Sequence, residues 1–130
     1  MIEMTEESFY GLLSANHGWL NVPRAFFHRF GINEAIFLGQ IINLHYKAVR
    51  ENHIDSDGYF FANQNFIERM TGLSKYQQRH CKKTLRQYHV VDWKFKDIPR
   101  KLYYKINWWN VAKQIQQFEV DLKLEEPKEM

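Results

Sequence analysis

The stretch Thr71-Gly72-Leu73-Ser74 constrains this chain more than any other, because it ends one helix and begins the next within about three residues. Gly72 suits the left-handed backbone that closes a helix. Ser74 and Gln77 stand at the spacing of a capping box, in which hydroxyl and side-chain amide each satisfy an otherwise unpaired backbone N–H. The pattern predicts helices near 64–71 and 75–88. Asn63 is placed to cap the first, which carries Phe66, Ile67 and Met70 on one side. Two helices joined by so short a glycine-containing turn have the spacing of a helix-turn-helix.

Beyond the second helix the apolar period changes from 3.6 to 2. Val91, Trp93 and Phe95 alternate with Asp92, Lys94 and Lys96, and Leu102, Tyr104 and Ile106 alternate with Tyr103, Lys105 and Asn107. The basic, proline-containing segment Lys96–Lys101 joins these two strands into a hairpin, a wing. Upstream, Asp55, Asp57 and Gly58 signal a turn before the short apolar run Tyr59-Phe60-Phe61. Asn21–Gly31 predicts a short helix capped by Asn21, with Pro23 in its first turn and Gly31 at its exit. The longest helix is expected over 34–51, capped by Asn33, with Ile32 and Phe37 as a hydrophobic staple. Ile36, Phe37, Leu38, Ile41, Ile42, Leu44 and Val49 give it a broad apolar stripe and make it the central core helix. A final helix is expected from near Asn107, carrying Trp109, Ala112, Ile115 and Gln116. The architecture predicted is mainly α (α+β): a winged helix-turn-helix with a two- or three-stranded wing and extra N- and C-terminal helices. It occupies residues 1–118 as a DNA-binding domain, followed by an acidic, disordered tail over 119–130.

The 130 residues suffice for one core, and the net charge of +3 conceals a strong asymmetry. Residues 1–70 hold five Lys/Arg against eight Asp/Glu, residues 71–118 hold eleven against two, and residues 119–130 hold two against five. A basic block between two acidic flanks is a local field that calls for an anionic partner, and nucleic acid is the commonest. The single cysteine, Cys81, excludes an intramolecular disulfide. The start MIEMTEESFY lacks a signal-peptide pattern, and no apolar run approaches a bilayer span, so a cytoplasmic protein without membrane contact is expected.

On a helical wheel Leu73, Gln77, Cys81, Thr84, Leu85 and Tyr88 fall on one half of the second helix. Lys75, Gln78, Arg79, Lys82, Lys83 and Arg86 fall on the other, within an arc of roughly 140°. The pairs Lys75/Arg79, Arg79/Lys83 and Lys82/Arg86 are like-charged at i,i+4, a mildly repulsive arrangement unless phosphates supply the counter-charge. Residues in the first turns of a recognition helix reach base edges, so Lys75, Gln78 and Arg79 are the expected readers in double-stranded DNA. Lys82, Lys83 and Arg86 would neutralise phosphates, and Lys94, Lys96, Arg100 and Lys101 in the wing would touch backbone or a flanking minor groove.

The run TGLSKYQQRHCKKTLRQY, followed by VVDWKF, KDIPRK and LYYKINWWN, resembles the winged-helix module of phage replisome organisers and their DnaD-like relatives. The earlier WLNVPRAFF and GINEAIFLGQI segments resemble the N-terminal helices of such modules, so the likeness covers most of 18–112. It implies a role in phage or bacterial replication initiation, with duplex DNA and other replication proteins as partners.

No GxxxxGK[ST] or GxGxxG motif is present, no His-x-His pair accompanies the tyrosines, and the six histidines are scattered. An enzyme, a cofactor and a metal are therefore not expected. Cys81 is expected in the core, and Asp55 and Asp57 in a turn rather than a calcium loop. Trp19, Phe26, Phe27, Phe30 and Trp109 exceed what a small core obviously needs. They leave room for a protein-interaction or homo-oligomer surface, and the same DNA-binding face would also serve a transcriptional regulator.

Overall fold

The computed structural model describes residues 5–14 and 18–125. The elements run α1 (Glu6–Ser14), α2 (Arg24–Phe30), α3 (Ile32–Arg50), β1 (Phe60–Phe61), α4 (Gln64–Thr71), α5 (Lys75–Gln87), β2 (Val91–Lys96), β3 (Lys101–Ile106) and α6 (Trp108–Glu125). The three strands form an antiparallel sheet in the order β1-β3-β2, with Trp93 opposite Tyr104 and Phe61 opposite Tyr103. This is a winged helix-turn-helix with a three-stranded sheet, as the sequence predicts.

α3 is the central helix because Phe37, Leu38 and Ile41 recur on one side and are fully buried against α2, α4 and α5. Gly39 lies on this helix where the chain crosses it: a Cβ there would come within 2.9 Å of the Val22 side chain and 3.3 Å of the Asn21 carbonyl. Only a residue without a side chain lets segment 20–22 pack so closely. Strand alternation then completes the core. Phe60, Tyr104, Leu102, Ile106 and Val91 face inward, and Tyr59, Phe61, Lys94, Tyr103 and Lys105 face outward.

Three sequence expectations change. α2 starts only at Arg24 with Pro23 in the capping position, so Asn21 does not cap it. α3 starts at Ile32, not after Asn33, because Gly31 adopts a φ of 106° that redirects the chain from α2 to α3 without a spacer. Ile32 is consequently exposed in the first turn and forms no staple. Finally, α6 continues to Glu125, so residues 119–125 are helical rather than a tail; the remaining 126–130 lie outside the described residues. The tie is tertiary: Phe118 is buried against His28 of α2, and Arg29 bonds Gln114 at 2.7 Å and pairs with Asp121 at 3.5 Å. Val111 and Phe118 are the buried residues of α6, whereas Trp109, Ala112 and Gln116 are exposed.

Leu85, fully buried between α5 and the sheet, should lose about 2–5 kcal/mol on truncation to Ala. Ile32→Ala should change stability by less than about 0.5 kcal/mol. Urea denaturation of the two variants checks the pair of expectations; comparable losses would restore the staple and contradict the observed start of α3.

Candidate nucleic-acid interface

The turn between α4 and α5 is built as its sequence requires. Asn63 Oδ1 accepts the N–H groups of Asn65 and Phe66, and Gly72 closes α4 with a φ of 77°. The capping box is complete: Gln77 N–H donates to Ser74 Oγ at 3.1 Å, and Ser74 N–H donates to Gln77 Oε1 at 2.8 Å. α5 is thereby started cleanly, with no acidic residue anywhere along it.

Its rotation differs from the expected one. Gln78 is fully buried, and its Nε2 donates to the carbonyls of Gln64 at 3.1 Å and Leu73 at 3.0 Å. Its amide is spent locking the turn and cannot read a base edge. Lys82 is also buried, at 4% exposure, with its Nζ 4.7 Å from the centre of the Trp93 ring. Burial, followed by the neighbouring Arg79 and Arg86 charges, lowers its pKa from the ordinary lysine value. Two of the predicted contacts are therefore interior. The exposed face is turned by roughly 60° relative to the expected arc. It carries Lys75, Arg79 and Lys83 and adds Tyr76, which is 75% exposed, together with His80 and Gln87.

These additions were detectable by spacing. Gln78 stands three residues before Cys81 and seven before Leu85, on the midline of the buried stripe, whereas Gln77 and Thr84 lie at its margin. Cys81 is fully buried, and burial and then the Glu34 charge push its thiol up to about 12, so it is a core residue and a poor nucleophile.

The wing is clasped to α5 by cation–aromatic contacts. The Arg86 guanidinium lies 3.8 Å from the Trp93 ring centre, pairs with Asp92 at 3.1 Å and donates to the Trp93 carbonyl. Tyr76, Arg79, His80, Lys83 and Arg86 surround a hollow of about 380 Å³ floored by Trp93. At the opposite end of α5, Lys75 shares a smaller hollow of about 220 Å³ with Arg100 and Lys101 of the wing and the first residues of α4. Arg100 also covers Phe95 at 3.9 Å. Among the described residues, Lys75, Arg79, Lys83, Arg100 and Lys101 make no ion pair.

Lys94 and Lys96 are placed elsewhere. Alternation turns them to the outer face of the sheet, away from α5, where Lys94 caps Tyr59 at 4.0 Å and Lys96 pairs with Asp55 at 2.9 Å. Asp55 Oδ1 accepts the N–H groups of Asp57 and Tyr59, both at 2.9 Å, which makes this segment a turn. Among the described residues, no three His, Cys, Asp or Glu side chains converge as a metal site, and no helix is long and apolar enough to cross a membrane.

No protein-family model matches the chain, and no curated protein matches it. Solved structures do match in three dimensions, two of them over nearly the whole chain. One, described as the N-terminal domain of a DNA-binding protein, has 14% identity and a TM-score of 0.59 over 98% of this chain and 99% of that one. The other, a Rep–DNA complex, has 14% identity and a TM-score of 0.60 over 97% of this chain and 99% of that one. The likeness is one of fold. It spans nearly the whole chain, so the helices flanking the winged core belong to the shared architecture.

The hydrogen bond from Lys96, then the backbone N–H of Tyr59, lower the Asp55 carboxyl from 3.8 to about 2. A depressed carboxylate stabilises the fold above its unfolded pKa and loses that contribution as pH falls through the folded value. Wild-type protein should therefore lose melting temperature between about pH 4 and pH 2 more steeply than Asp55→Asn, which keeps the turn-forming oxygen. Parallel melting curves of the two proteins would rule this out.

Proposed function

We propose that the chain is a double-stranded DNA-binding winged-helix protein that acts in replication initiation, by binding rather than catalysis. The carrying observation is the acid-free exposed face of α5, continued at its N-terminal end by Arg100 and Lys101 of the wing. A helix of α5's diameter fits the major groove, and a wing beside it meets the flanking backbone. Two solved structures of this fold, a domain of a DNA-binding protein and a Rep–DNA complex, support the reading. The TGLSKYQQ turn resembles that of replisome organisers and DnaD-like initiators and favours a phage or bacterial setting in the cytoplasm. A regulator would use the same face on an operator. Preference for origin over promoter duplexes separates the two.

Within the interface, Arg79 is the base reader, flanked by Tyr76 and His80, and Lys75, Lys83, Arg100 and Lys101 neutralise phosphates. Arg79→Ala should cost about 1–3 kcal/mol on the preferred site and little on random duplex. Lys83→Ala or Arg100→Ala should weaken all duplexes alike and lower the slope of log affinity against log salt by about 0.9 each. Fluorescence anisotropy at several salt concentrations measures both. Undiminished duplex binding by a folded Lys75→Ala/Lys83→Ala double variant would remove the basis of the proposal.

A second copy of the chain is the proposed partner for the remaining aromatic surface. Phe26 and Phe30 are core residues, but Trp19 is 56% and Trp109 72% exposed, and Phe27 is partly so. Two-fold symmetric duplex sites favour such dimers. Sedimentation equilibrium should give a dimer or larger assembly at tens of micromolar, and Trp109→Ser should weaken it; a monomer with and without duplex would contradict this.

A further inference from the structure

The outer face of the sheet carries a constellation that duplex binding does not use. Phe61 pairs with Tyr103 across β1 and β3, so their rings stand on one face, 5.9 Å apart. Phe61 is 46% exposed although it lies in a strand next to the core. Both rings line a groove of about 570 Å³ whose other wall is the end of α3 and α4, where Phe66, Lys47 and Arg69 contribute. Phe61, Ala62 and Asn63 also line the hollow that holds Lys75, Arg100 and Lys101. The two depressions adjoin at these three residues and together form a trough from the start of α5 and the wing toward the end of α3.

Its chemistry is specific. Lys47 Nζ and the Arg69 guanidinium each lie 6.0 Å from the centre of the Phe66 ring, Lys101 Nζ lies 5.5 Å from that of Phe61, and Lys96 Nζ lies 4.2 Å from that of Tyr103. Among the described residues lining the larger groove Glu51 is the single acid, and it faces His53 at 3.4 Å. One exposed ring, Phe61, and two half-buried ones, Phe66 and Tyr103, flanked by Lys47, Arg69 and Lys101, which make no ion pair among the described residues, suit a partner that offers flat aromatic groups and a negative charge at every repeat. Duplex DNA does not: its bases are already stacked and paired, so only phosphates would meet the rings. A single strand offers both.

We propose that this trough binds single-stranded DNA. Bases stack on Phe61, Phe66 and Tyr103, and the head groups of Lys47, Arg69 and Lys101, which now lie over Phe66 and Phe61, swing aside to the flanking phosphates of the strand. The site is separate from the exposed face of α5 and shares with the duplex interface only its wing end, so one molecule holds paired DNA on α5 and an unpaired strand beside it.

The test is fluorescence anisotropy of the full chain with labelled oligo(dT), a mixed-sequence single strand and the corresponding duplex. Phe61→Ala should weaken single-strand binding roughly 5- to 150-fold, the range for loss of one base stack, and change duplex affinity far less, through its neighbour Lys101 alone. Phe61→Tyr should restore it. Lys47→Ala/Arg69→Ala, at two exposed positions, should lower the single-strand salt slope by about 0.7 per charge and spare the duplex. Arg79→Ala should affect the duplex alone, so failure of the duplex reading shows in a different variant. The proposal is overturned if wild-type protein leaves oligo(dT) unbound, or if Phe61→Ala weakens duplex and single strand equally. If Phe61→Ala unfolds, unchanged single-strand affinity in Lys47→Ala/Arg69→Ala overturns it.

Discussion

What the surface of α5 can do follows from the rotation of that helix about its axis, and Gln78 sets the rotation. A side-chain N–H group sealed from water is costly to leave unpaired, by about 1–3 kcal/mol. Gln78 Nε2 finds two acceptors, the carbonyls of Gln64 and Leu73, so the second helix is pinned to the first and to the turn between them by the same side chain, whose Oε1 is buried without a hydrogen-bond partner among the described residues. The line Gln78, Cys81, Lys82 and Leu85 then faces the interior. Arg79 and Lys83 are presented outward as a geometric result of what lies beneath.

That is also where local sequence reasoning works and where it stops. Helix boundaries at Asn63, Gly72 and Ser74 are legible because caps and left-handed glycine are chemistry between near neighbours. The hairpin is legible because a two-residue period has little ambiguity, and the register places Trp93 against Tyr104 as alternation demands. Gln78 and Lys82 are not legible from residue type, since long polar side chains count as surface until a carbonyl pair or an aromatic ring takes them in. The end of α6 was hidden for a related reason. Residues 119–125 have a tail's composition, and they are ordered by Phe118 and by the pairing of Asp121 with Arg29, some ninety positions earlier in the chain.

The basic block is correspondingly less uniform than its charge suggests. Lys82 and Arg86 lie against Trp93 and fasten β2 to α5, while Lys96 is neutralised by Asp55. Cation–aromatic contacts of this kind are worth about 0.5–2 kcal/mol each, more where water is excluded. They couple the position of the wing to the orientation of the helix, so the two elements meet a ligand as one rigid surface. Lys75, Arg79, Lys83, Arg100 and Lys101 keep their charge without an ion-pair partner among the described residues, although Arg100 also covers Phe95 and Lys101 lies near Phe61.

The one-residue alternation along β3 has a consequence for how such a chain can change over time. Tyr103 and Tyr104 are neighbours in sequence, yet one faces the outer trough and the other packs against Phe37 in the core. Every second position of the strand can therefore mutate without repacking the interior, and the intervening ones cannot. The sheet separates two selective pressures at the thickness of a single backbone: specificity on the outside can drift while the winged scaffold beneath it stays constant.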